Sequence, residues 1–185
     1  MGILDFFEKS AGKWFSQRTS YKLGQQEQWH QSDKTNLYNE LLPADVDEVI
    51  QLCERCRVSP SLAIGGLRTR WEKTHAKPAG SSLLVALNDE STTQAKQGIL
   101  RGGNNSPIVS GLYYWGSDQT LVIVTEASGC TTEERLWFNS DNLRLRTSLM
   151  KFEQAERNVS SFYSEIRMGV AAPAIDSQSG SPPGS

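Results

Sequence analysis

In Asn142-Leu143-Arg144-Leu145-Arg146-Thr147-Ser148-Leu149-Met150 the residue types alternate with a period of two. In an extended strand successive side chains point to opposite faces. Leu143, Leu145, Thr147 and Leu149 therefore share one face, and Arg144, Arg146 and Ser148 the other. At two-residue steps the guanidiniums and the hydroxyl stand in a row, roughly 6.5–7 Å apart. Two arrangements satisfy this alternation. In one, the arginines face water from a half-buried strand. In the other, the leucines pack under a covering layer and the arginines line an enclosed interior. The second demands anionic partners, because an unpaired buried guanidinium is costly.

A carboxylate is available just upstream. In Glu133-Glu134-Arg135-Leu136-Trp137-Phe138, the side chains of Glu134, Leu136 and Phe138 share a face, so Glu134 can enter the same interior from the next strand. Trp137 alternates away from it. The planar fork of arginine suits carboxylate groups. A pocket of arginines, an acid and aromatics such as Trp71 fits a large conjugated ligand that carries carboxylates. A phosphate compound needs no aromatic walls, and a fatty acid needs no internal acid.

Outward from this strand the pattern stays β-like. Nine short segments are rich in β-branched and aromatic residues: 14–23, 37–42, 67–72, 82–87, 109–115, 120–126, 134–138, 142–151 and 161–168. Turn residues separate them, with tight connections at Gly116-Ser117-Asp118 and Ser140-Asp141-Asn142. An open sheet that long would leave adhesive edges, and closure removes them. The expected fold is mainly β: a closed antiparallel up-and-down barrel. Ile3, Leu4, Phe7, Ala11 and Trp14 recur at helical spacing, which predicts a helix over 3–14. A second helix is predicted over 45–57, capped by Asp45 with Glu48 in a capping-box position. Residues 88–107, polar and glycine-rich, read as a loop. The domain is expected to span 1–168, and 169–185 has the composition of a disordered tail.

Composition removes several classes of function. The formal charge is −2 over 185 residues, which gives no field for general nucleic-acid or membrane-surface binding. The longest apolar runs, 83–87 and 121–124, are far too short to span a bilayer. The amino terminus lacks the basic and apolar regions of a secretory signal, and Phe6 stands where a myristoylation motif wants Ser or Thr. The expectation is a cytoplasmic protein with reduced thiols. Cys53 and Cys56 form a lone Cys-x-x-Cys for which Cys130, His30 and His75 supply no second ligand pair, so no metal is expected. With two histidines no Ser-His-Asp or Cys-His set has plausible spacing, and no phosphate-cradling glycine loop occurs.

Several motifs, in order along the chain, resemble the S-type phycobiliprotein lyases of the CpcS/CpeS family. They are Ser10-Ala11-Gly12-Lys13-Trp14-Phe15-Ser16-Gln17-Arg18-Thr19-Ser20, Glu40-Leu41-Leu42-Pro43-Ala44-Asp45, residues 133–138, residues 142–148 and Ser164-Glu165-Ile166-Arg167-Met168. Gly12-Lys13-Trp14 is also similar to the lipocalin Gly-x-Trp, and by that analogy Arg167 stacks on Trp14 at the barrel end.

The resemblance implies a lipocalin-like barrel that binds a linear tetrapyrrole, phycocyanobilin or phycoerythrobilin. It implies assistance in thioether attachment of that bilin to a cysteine of an apo-phycobiliprotein subunit of phycocyanin, allophycocyanin or phycoerythrin. On this reading Glu134 is the catalytic carboxylate that engages the pyrrole nitrogens and favours the protonated, more electrophilic bilin. Arg144 and Arg146 take the two propionates, with Arg18 a further candidate; Ser148 hydrogen-bonds the ligand, and Trp71 and Trp137 offer aromatic surface. The bilin is substrate, and no prosthetic group is implied. Cys130 is expected to be a spectator thiol. A non-enzymatic bilin carrier with the same pocket, and a lipocalin-like binder of an unrelated apolar ligand, remain alternatives. So do action alone, as a homodimer or with a related subunit.

Overall fold

The computed structural model describes residues 1–24, 30–73, 79–88, 96–104, 106–153 and 158–169. A short helix, α1 (Ile3–Ser10), leads into β1 (Gly12–Leu23) and β2 (His30–Leu42). Helix α2 (Asp47–Arg55) and a 3-10 turn at Pro60–Leu62 precede β3 (Ala63–Lys73), β4 (Gly80–Leu87), β5 (Gln97–Gly103) and β6 (Ser106–Trp115). The sheet is completed by β7 (Leu121–Ala127), β8 (Cys130–Ser140), β9 (Leu143–Phe152) and β10 (Asn158–Arg167). Each strand pairs antiparallel with its sequence neighbours, and β1 pairs with β10, so the described strands form a closed ten-membered barrel. His75, most of 88–96 and the tail beyond Gly169 lie outside the described residues.

The helix predicted over 3–14 is shorter, because the chain turns extended at Ala11 and Gly12 adopts φ 109°, a conformation glycine alone reaches cheaply. Trp14 thus belongs to β1, and its indole N–H donates to the Ser10 carbonyl at 2.9 Å. Helix α1 starts with Asp5 accepting the Gly2 N–H and ends near Lys9, charges that complement the helix dipole. Its buried face, Ile3, Phe6 and Phe7, packs with Leu67, Ile99, Tyr113, Leu121, Ile123 and Leu136. These are inward residues of five strands, so α1 stoppers one end of the barrel.

Arg167 locks that stopper. Its guanidinium lies 4.2 Å from the Trp14 ring centroid and donates to the carbonyls of Lys9, Ala11 and Asp141.

Helix α2 covers the outer wall. Val49, Leu52 and Cys53 pack on Ala63, Val85, Leu87 and Leu100, a second core outside the barrel. Its start differs from the prediction: Val46 is the N-cap, no side chain caps it, and Glu48 instead accepts two bonds from Arg68 at 2.6 and 2.7 Å. Arg68 also binds Glu40 of β2, tying helix to barrel.

The segment read as a loop, 88–107, contains β5. Its glycines are there for close approach. A Cβ on Gly102 would sit 2.6 Å from Leu52 of α2, and one on Gly103 would sit 2.1 Å from the Ser81 carbonyl oxygen. The residues that made the segment look like a loop allow a helix and a neighbouring strand to press against it.

Candidate functional site

Against α1 the barrel encloses a cavity of about 380 Å³, within the range of small-molecule sites. Its apolar lining includes Phe6, Phe7, Leu121, Ile123 and Leu136, and its polar and aromatic lining Arg18, Trp71, Arg101, Glu134, Arg144, Arg146, Tyr163 and Glu165. The two interleave, since Ile123 pairs with Glu134 and Leu136 with Arg146 in the ladders. Of the two arrangements open to β9, the inward one holds: Arg144 and Ser148 are buried, while Leu143, Leu145 and Leu149 form half-buried outer wall. Helix α2, the outer covering element, lies over β3–β5.

The charges form one connected network. Arg144 donates from Nε to Glu165 at 2.6 Å and sits over the Trp14 ring, so it is fixed from both sides. Arg146 spans the two acids, with Nη1 3.5 Å from Glu134 and Nη2 3.8 Å from Glu165. Its guanidinium rests on the Tyr163 ring at 3.7 Å. Glu134 has a second, closer partner in Arg101, and Arg18 pairs with Asp33. Ser16 donates to Glu165 at 3.4 Å.

These contacts set the protonation states. Burial pushes the carboxyls of Glu134 and Glu165 up. For Glu134, Arg101 and Arg146 more than offset this; for Glu165, Arg144 and Arg146 do. Both therefore titrate below the ordinary glutamate value and stand ionised in the cavity. Burial would lower Arg146, but Tyr163, Glu165 and Glu134 raise it above its ordinary value, so it stays cationic.

Of the residues singled out from the sequence, Glu134, Arg144, Arg146, Arg18 and Trp71 line the cavity together. Ser148 is buried on the inward face, its Cα partnered with Glu134 on one side and Ser161 on the other, without reaching the cavity lining. Trp137 pairs with Leu145 in the ladder, so it belongs to the outer-wall face of β8 and is not among the cavity-lining residues. Cys130 begins β8, after a two-residue turn at Ser128-Gly129 with φ 50° and 71°.

Among the lining residues not singled out as site residues from the sequence are Arg101, Tyr163 and Glu165. Arg101 lay in the segment read as a loop. Glu165 and Tyr163 were legible in principle, since Ser161, Tyr163, Glu165 and Arg167 alternate inward on the last strand as Arg144 and Arg146 do on its neighbour.

A closed antiparallel barrel, stoppered at one end and lined by arginines and ionised carboxylates, has the form of a cavity-bearing β-barrel. Comparison with known proteins narrows the class. The profile of the family described as "CpeS-like protein" matches residues 2–168. A chromophore lyase CpcS/CpeS of Thermosynechococcus vestitus is 42% identical over 180 residues, covering 94% of this chain and 97% of the relative. A second, from Trichodesmium erythraeum, is 40% identical, covering 90% and 98%. The solved structure of the S-type phycobiliprotein lyase CPES from Guillardia theta superimposes with a TM-score of 0.78 at 26% identity, covering 92% of this chain and 95% of that one. The chain belongs to the CpcS/CpeS family of chromophore lyases.

Proposed function

We propose that this protein binds a linear tetrapyrrole, phycocyanobilin or phycoerythrobilin, and assists its thioether attachment to a cysteine of an apo-phycobiliprotein subunit. The reading rests above all on Glu134, an ionised carboxylate inside a cavity, flanked by arginines. A relative in Picosynechococcus, 31% identical over 80% of this chain, carries the name phycocyanobilin lyase subunit CpcS.

Glu134 accepts hydrogen bonds from the pyrrole N–H groups and, as an anion, stabilises the protonated tetrapyrrole. It acts as counter-ion, since its lowered pKa makes it a poor proton donor at neutral pH. Arg146 takes a propionate. Its Nε is buried without a hydrogen-bond partner among the described residues, and a carboxylate engaging Nε and Nη2 would satisfy it. Arg144 holds Glu165 and positions the wall beneath the ligand, and Trp71 offers a face to the conjugated system. Arg18 is a supporting contact, and Ser148, the ladder partner of Glu134, stands behind the lining.

The acceptor's S–H then adds across the ethylidene double bond of the A-ring. Sulfur bonds to the exocyclic carbon, the π electrons move into the ring, and the thiol proton ends on the tetrapyrrole, so nothing is oxidised or reduced. The barrel contributes by fixing geometry and protonation.

The test is to incubate the protein with each bilin and apo-subunits of phycocyanin, allophycocyanin and phycoerythrin, and read covalent, fluorescent product. Glu134→Gln is expected to cut the yield at least tenfold while retaining bound bilin. Tight binding with no gain over spontaneous attachment would identify a carrier instead, and no tetrapyrrole binding would overturn the proposal.

A further inference from the structure

We infer that Arg101, together with Arg146, docks the acid arms of the ligand, and that this docking releases Glu134 for the pyrrole nitrogens. The inference rests on the tetrapyrrole reading above and adds to it a residue and an order of events.

The position of Arg101 is the first support. It sits on β5, and Glu134 on β8, with β6 and β7 between them. Their ion pair therefore reaches over two intervening strands inside the barrel and is not a cross-strand neighbour contact. The ladder between β5 and β6 shifts register between Arg101 and Gly103. Such a bulge re-aims the adjacent side chain, and bulges gather at barrel rims and sites.

Availability is the second. Arg144 is the other obvious cation, but its side chain is only 6% exposed, with Glu165 on one face and Trp14 on the other. Arg101 and Arg146 are 21% and 26% exposed and line the cavity. Arg18 is more open still, at 36%, but it is held by Asp33; Arg101 and Arg146 are the two open guanidiniums that hold the same carboxylate, Glu134.

Charge is the third. Around the cavity four arginines, Arg18, Arg101, Arg144 and Arg146, face three acids, Asp33, Glu134 and Glu165. A dicarboxylate ligand turns this surplus of one positive charge into a deficit of one. Protonating the tetrapyrrole restores neutrality, and its cationic N–H groups need an anion whose lone pairs are free. Moving Arg101 and Arg146 from Glu134 to the incoming carboxylates supplies it. Each guanidinium keeps a carboxylate partner throughout, so no buried charge is stranded during the exchange.

The test compares phycocyanobilin with its dimethyl ester, titrated into the full chain, Arg101→Gln and Arg101→Lys, with thermal melts to confirm folding. Arg101→Gln should weaken the diacid by about tenfold or more, the loss expected for one buried charge-assisted carboxylate bond, and leave the ester within about twofold. Arg101→Lys, which keeps the charge but not the fork, should lose about threefold on the diacid alone. Unchanged diacid affinity in both variants would overturn the inference, as would equal losses for diacid and ester, which would mark a structural role. Equal binding of diacid and ester by the unmodified protein would also overturn it while the tetrapyrrole reading stands. Failure of the unmodified protein to bind either form would remove that reading itself.

Discussion

Arg146 sits over the ring of Tyr163, with its guanidinium carbon 3.7 Å from the ring centroid. The two residues are Cα partners on β9 and β10, so the stack is built into the ladder register. Tyr163 also acts electrostatically on Arg18, so one side chain engages two of the cavity's four arginines. A cation held on an aromatic face in a partly desolvated site gains about 1–2 kcal/mol.

Tyr163→Leu is therefore expected to loosen Arg146 and weaken bilin binding by about three- to thirtyfold. Tyr163→Phe keeps the stack, loses only the link to Arg18, and should stay within about threefold. Fluorescence titration of both variants checks this; equal losses for Leu and Phe would show that the hydroxyl matters and the ring does not.

Acid should unfold the protein through the cavity carboxylates. Burial raises Glu165, but Arg144 and Arg146 pull it below the ordinary 4.5 of an unperturbed glutamate, and Glu134 behaves likewise with Arg101 and Arg146. A depressed folded pKa means stability that is fully present above the unfolded value and lost as pH falls through the folded one. Melting temperature should hold from neutrality to about pH 4.5 and then drop. Glu165→Gln should be less stable at pH 7 by about 3–5 kcal/mol, because Arg144 stays buried without its partner, yet its stability should fall less steeply below pH 4.5. Parallel acid limbs for the two proteins would refute the assignment.

Removing the barrel-end lock should cost stability without touching the ligand. Arg167→Ala deletes the stack on Trp14 and the bonds to the Lys9, Ala11 and Asp141 carbonyls. Chemical denaturation is expected to show a loss of about 2–4 kcal/mol. Arg167 is not among the cavity-lining residues, so bilin affinity of the folded protein should be unchanged.

Two glycines of β5 and β6 offer a steric test. A Cβ at Gly103 would lie 2.1 Å from the Ser81 carbonyl oxygen, and one at Gly111 2.2 Å from that of Val124. Backbone cannot yield as a side chain can. Gly103→Ala and Gly111→Ala should each destabilise by about 1–3 kcal/mol in the same assay, and wild-type stability in both would contradict the packing described for β5 and β6.

Period-two alternation determined much of this protein without coordinates. It put Arg144, Arg146 and Ser148 on one face, matched Glu134 to that face from the next strand, and turned Trp137 away from it. Alternation is a local property of extended backbone, which is why those assignments could be read along the chain. Two kinds of fact escaped it. Which face of β9 is inside depends on how the sheet closes, and that is not encoded within nine residues. The partners of each charge depend on how strands are paired: Arg101 meets Glu134 across two strands, and Glu165 meets Arg144 by the register of β10 on β9. Strand β5 was hidden for a related reason. Its glycines weaken any local strand signal, and their purpose, the close approach of Leu52 and Ser81, exists only once the barrel has formed. Local residue pattern settled the faces; closure of the sheet decided the inside and the pairing of its charges.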